Sequence, residues 1–190
     1  MKTKKTRFPV KRLVLDAVLI ALYVVLGFWK IPIGNILRVN MASFAVVVCA
    51  VAFSPLDGLV VGFMGEFLSQ ILGPYGLTPT TALWALPEAV RGVTLGFAML
   101  MFARKQLTAG KLLKSKAMIV YLAVCIFTGL LASLFNTFAL YVDSKMFGYY
   151  SYAMVFGVLW IRLAASAVSS VLMAIAGKPV VVALRKAKII

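Results

Sequence analysis

Six apolar stretches, separated by short polar breaks, run along this chain: Leu13–Trp29, Val39–Phe53, Leu56–Leu72, Thr81–Ala103, Ala117–Val142 and Ala153–Gly177. A helix crossing the hydrocarbon core of a bilayer needs about 20 apolar residues, with a range near 17–25. Five of the stretches meet that length. Val39–Phe53 is short for it, so it is buried within a bundle, extended into Arg38, or incompletely spanning. Ser54-Pro55 alone joins the second stretch to the third, which predicts a tight helical hairpin. The pattern therefore predicts an all-α membrane protein, a bundle of six transmembrane helices.

Charge orients the bundle. The N-terminal tail holds Lys2, Lys4, Lys5, Arg7, Lys11 and Arg12. The loop after the fourth stretch holds Arg104, Lys105, Lys111, Lys114 and Lys116, and the C-terminal tail Lys178, Arg185, Lys186 and Lys188. The remaining loops carry only Lys30, Arg38 and Lys145. Lys and Arg accumulate on the cytoplasmic side, so both termini are expected inside. The outward side then carries residues 30–40, 73–83 and 142–153. The organisation is a single integral membrane domain over 1–190: a basic tail at 1–12, the bundle at 13–177 and a basic tail at 178–190. The basic, then apolar start looks like a signal peptide. Phe28-Trp29-Lys30 follows instead of a small-residue cleavage site, so the first stretch reads as a retained helix.

Composition agrees. The chain is 63% hydrophobic and its mean hydropathy is +1.02, whereas soluble domains lie near 45–50% apolar. A net charge of +15 placed at membrane edges serves topology and anionic headgroups, not nucleic acid. With no His, the commonest metal ligand and general base are missing. Cys49 and Cys125 lie inside apolar stretches and read as small hydrophobes. No phosphate-binding G-x-x-x-x-G-K-[ST] loop and no nucleophile–base pair is present.

Candidate chemistry lies in the charges inside the spans. One at mid-bilayer costs about 2.5–3.5 kcal/mol on insertion scales, so it faces protein or a cavity. Glu66, Glu88, Arg91 and Arg162 are such charges. Trp84, Glu88 and Arg91 fall within about 60° of one another on a helical wheel. Arg162, Ser166 and Ser169 share a face of the last helix, and Asn136 adds a polar group on the fifth. Glu88 and Arg91 either neutralise each other one turn apart or leave an Arg to meet an anionic ligand. The favoured pocket is Trp84, Arg91, Asn136 and Arg162, with Glu88 orienting Arg91. The turn-rich loop 73–81 with Tyr75 is a connector or a lid over that pocket. Tyr149, Tyr150 and Tyr152 are interface anchors or stacking groups. The pairs Gly58/Gly62 and Gly92/Gly96 suit internal helix packing, and Ala17/Ala21 sits where a partner helix could dock.

Six helices in this length, polar groups focused outward and Ala17-Val18-Leu19-Ile20-Ala21 low on the first helix resemble the substrate-binding S component of energy-coupling factor (ECF) vitamin transporters. The resemblance implies a multi-pass protein of a prokaryotic plasma membrane that is not an enzyme. Its vitamin would bind near the extracellular surface, beneath 30–40 and 73–83. Ala17 and Ala21 would meet the transmembrane T subunit. Two ATP-binding cassette subunits would hydrolyse ATP, leaving this chain without a cofactor, and the loaded bundle would topple to carry its ligand inward. Asn136-Thr137 followed by Arg162 is similar to folate- and pantothenate-type members. Pantothenate is the first expectation, with folate, cobalamin or a pyrimidine or thiamine precursor as alternatives. The rival classes are a self-sufficient secondary carrier and a small intramembrane enzyme using Asp57, Glu66 or Glu88.

Overall fold

The structure is a computed structural model that describes residues 10–33, 37–74, 76–102 and 115–187. Its helices are α1 (Val10–Phe28), α2 (Ser43–Ala52), α3 (Pro55–Ile71), α4 (Thr81–Phe102), α5 (Ser115–Met146) and α6 (Leu159–Lys186). A π-helical turn, Ala153–Gly157, leads into α6. Between α1 and α2 the chain forms an antiparallel hairpin, β1 (Lys30–Ile33) and β2 (Leu37–Asn40), in register Lys30↔Asn40. Among the described residues the fold is thus an all-α bundle of six helices bearing one small hairpin. The chain enters and leaves by what we term the basic end; the β-hairpin marks the other.

The short second stretch resolves into two elements. Its first residues belong to β2, and only ten form α2. Ten residues rise about 15 Å, half the roughly 30 Å hydrocarbon core. Ser43 and every residue from Ala45 to Ala52 are buried, and α2 packs on α1, α3, α4 and α6. It is the core of the bundle. The turn out of it follows from Ser-Pro-Leu-Asp. Ser54 caps α3 by accepting from the Asp57 amide at 3.3 Å, and Pro55 occupies the first helical turn.

The most extensive helix contact joins α3 to α4, and glycines permit it. A β-carbon at Gly58 would lie 2.7 Å from the Gly92 carbonyl oxygen, and one at Gly96 2.5 Å from Pro55 Cα. One at Gly62 would collide with the Glu88 carbonyl. The glycine pairs therefore serve internal packing, as close backbone approach in lipid requires. On α1 the buried residues are Asp16, Tyr23 and Gly27, whereas Ala17 and Ala21 lie on the exposed face.

Among the described residues, three helical spans are long and apolar enough to cross a membrane: Thr81–Met101, Met118–Met146 and Ala153–Leu184. Their outward residues, among them Phe97, Phe127, Phe138, Val168 and Leu172, are exposed, a surface that lipid covers and water would not tolerate. Trp29 and Trp160 are 78% exposed and both lie at the hairpin end, where aromatic rings suit a headgroup layer. Helix α6 continues past Gly177, through Pro179, to Lys186.

Candidate functional site

A cavity of about 240 Å³ lies in the half of the bundle nearer the hairpin. Tyr23 of α1, Ser43 of α2 and Glu66 of α3 line one side. Trp84, Pro87, Glu88 and Arg91 of α4 form a second wall. Ser133 and Asn136 of α5 face Arg162, Ser166 and Ser169 of α6. Five of the six residues expected at the pocket therefore converge: Trp84, Glu88, Arg91, Asn136 and Arg162. The sixth, Tyr75, lies outside the described residues.

Helix geometry explains the convergence. Trp84, Glu88 and Arg91 are spaced four and three apart and so stack on one face of α4. Pro87 withholds one amide from the helical ladder between them. Arg162, Ser166 and Ser169 repeat the spacing on α6. Ser166 donates to the Gly129 carbonyl at 2.7 Å, which ties α6 to α5.

The acidic side is hydrogen-bonded within the protein. Glu66 accepts from Tyr23 Oη and from Gln70 Nε2, each at 2.6 Å. Glu88 Oε1 accepts from Ser43 Oγ at 2.8 Å and lies 3.4 Å from Arg91 Nη1. Glu88 and Arg91 thus form an ion pair one turn apart on α4. Arg162 has no acidic partner among the described residues; its Nη2 donates to the Met154 carbonyl at 2.9 Å. Three buried side-chain atoms among the described residues lack a hydrogen-bond partner: Glu88 Oε2, Arg91 Nε and Arg162 Nη1. All three belong to residues of the cavity wall. Leaving a buried donor or acceptor unmet costs about 1–3 kcal/mol, and more for charged groups, and here the wall presents both kinds: the Arg91 and Arg162 nitrogens donate and the Glu88 oxygen accepts.

Sequence reasoning missed Tyr23 and Ser43 as wall residues and placed no role on Asp143. A signal for Tyr23 existed. On a helical wheel it falls about 160° from Ala21, so an outward alanine face implies an inward tyrosine. At the hairpin end, Asp143 accepts from Thr80, Tyr149 and, at 3.3 Å, Trp84 Nε1. Tyr149, expected as an interface anchor or stacking group, is half exposed yet gives its hydroxyl to this network. Tyr150 packs edge-on against Tyr141, with Lys145 Nζ 4.1 Å from its ring centre.

A helical bundle around an open polar cavity, with lipid-facing walls, is the architecture of a membrane solute-binding subunit. The family model for the ECF-type riboflavin transporter S component matches residues 7–186, and the chain belongs to that family. It is a transporter subunit, not an enzyme. The fold is similar to that of the S component for biotin from an ECF-type ABC transporter, at TM-score 0.57 and 15% identity, over 90% of each chain. It is also similar to the S component of a bacterial ECF transporter, at TM-score 0.51 and 13% identity, over 93% of this chain and 94% of the other. Among curated proteins none matches the chain.

Proposed function

We propose that this chain captures a small carboxylate-bearing vitamin, pantothenate first, for an ATP-driven uptake complex in a prokaryotic plasma membrane. The unmet Arg162 Nη1 in the cavity wall carries the reading, since no acidic side chain among the described residues neutralises that guanidinium. A carboxylate seated there gains a charge-assisted bond worth roughly 1.5–3 kcal/mol. Glu88 Oε2 asks for a donor nearby, which a hydroxyl or amide N–H on the same ligand supplies. Pantothenate has all three groups. Folate offers a carboxylate and an amide N–H on a larger molecule; cobalamin and a pyrimidine or thiamine precursor fit less of this pattern.

Riboflavin is the second reading. The family model bears its name, and Trp84 offers a flat face in the cavity wall. A T subunit would dock on Ala17 and Ala21, two ATPase subunits would supply ATP hydrolysis, and both termini of this chain would lie inside. Native mass spectrometry of the gently purified chain against a panel of B vitamins tests the reading. Retention of pantothenate or folate, lost in Arg162→Ala, supports it. Retention of riboflavin alone establishes the second. A folded chain that retains none of the panel overturns both readings of the ligand.

A further inference from the structure

Asp143 is not part of the cavity wall, yet three side-chain donors converge on it at the hairpin end. It is 8% exposed and sits in the last turn of α5. Thr80, which ends the α3–α4 loop, gives its hydroxyl to Oδ1, and Trp84 Nε1 donates to the same oxygen at 3.3 Å. Tyr149, beyond the end of α5, gives its hydroxyl to Oδ2. The donors thus come from two loops and from the first turn of α4.

The backbone is arranged to bring them there. Gly148 has φ +79°, a value that side-chain-bearing residues rarely adopt. It turns the chain back so that Tyr149 N reaches the Ser144 carbonyl at 3.0 Å. On the other side, Thr78 N donates to Thr81 Oγ1 at 2.8 Å, which fixes the loop that carries Thr80. Thr80 and Thr81 are 4% and 2% exposed. Of the three donors, only Trp84 lines the cavity. Its indole N–H is occupied by Asp143, so the ring face rather than the N–H is what the wall can offer a ligand.

We propose that Asp143 is a positioning residue for substrate binding. It sets the Trp84 ring in the cavity wall and fastens the loop after α3 and the loop after α5 to each other at the hairpin end. Loss of the carboxylate frees both loops and the ring together, and opens the route into the cavity. The proposal rests on the cavity being the substrate site, but its test needs no ligand.

Ser169 lines the cavity ten residues into α6, about 15 Å below the start of that helix. The Ser169→Cys chain is reacted with a charged methanethiosulfonate ammonium reagent, with and without Asp143→Asn. Native Cys49 and Cys125 are buried outside the cavity wall and report unfolding. The expected result is labelling at position 169 about tenfold faster in the Asp143→Asn chain, with Cys49 and Cys125 still unreactive. Unchanged labelling at 169 overturns the proposal. If Asp143→Asn exposes Cys49 or Cys125, Tyr149→Phe decides, because it leaves the carboxylate and two donors in place. A several-fold faster rate at 169 alone then supports the proposal, and the wild-type rate overturns it.

Discussion

At the scale of single residues, the two cavity arginines differ in what the protein does with them. Arg91 is 7% exposed and shares Glu88 with Ser43. Removing it leaves the half-buried Glu88 carboxylate with Ser43 alone as its partner, a loss expected to destabilise by about 1–3 kcal/mol. Arg162 bonds only a carbonyl, through Nη2, and keeps Nη1 unmet. Arg162→Ala is therefore expected to leave the melting temperature close to wild type. It lowers vitamin affinity about 10- to 100-fold, the equivalent of the roughly 1.5–3 kcal/mol that a charged bond contributes. Arg91→Ala lowers both. Thermal unfolding and isothermal calorimetry on the two variants separate these cases, and equal losses of stability would mean that Arg162 is structural. Arg162→Lys is expected to recover only part of the affinity, because a point charge does not reproduce a planar fork.

At the scale of elements, α3 and α4 form a unit whose geometry places Glu66 opposite Glu88. Gly62 faces the Glu88 carbonyl without room for a β-carbon, whereas a β-carbon at Gly157 would lie 3.7 Å from Ala153. Gly62→Ala is expected to destabilise by about 1–3 kcal/mol through overpacking; Gly157→Ala is expected to change stability by less than about 0.5 kcal/mol. Melts in detergent check the contrast, and a silent Gly62→Ala would mean that α3 and α4 can part without cost. The six helices and the four-and-three spacing of Trp84, Glu88 and Arg91 were legible because lipid and helix periodicity leave so few alternatives. Less of α2 was. Hydropathy cannot separate a buried ten-residue helix from a spanning one, and β2 adds apolar residues to the same run. Tyr23 and Asp143 stayed hidden for a related reason. Their partners lie 43 and 59–63 residues away in sequence, and only the packed bundle brings such groups together.

At the scale of the whole molecule, the cavity wall and the outward alanine pair of α1 lie on different sides of that helix. The cavity gathers Tyr23 and Glu66 inward at the hairpin end, while Ala17 and Ala21 look outward from the other side of α1. The basic end of α1 is tied to the start of α3. Arg12 Nε donates to Asp57 Oδ2 at 2.7 Å, and the guanidinium also bonds that oxygen through Nη2. Asp57 is 2% exposed and itself receives the Ser54 hydroxyl at 3.0 Å. This clamp fixes α1 against α3, and with it the direction in which Ala17 and Ala21 look. The cavity does not share that surface. Ala17→Trp with Ala21→Trp is therefore expected to abolish co-purification with the T subunit and ATP-dependent uptake, and to leave vitamin affinity of the isolated chain within about twofold, the scale of a surface change of roughly 0.5 kcal/mol. Loss of affinity together with assembly would place the alanine face inside the binding machinery. Intact assembly would move the partner surface to another helix.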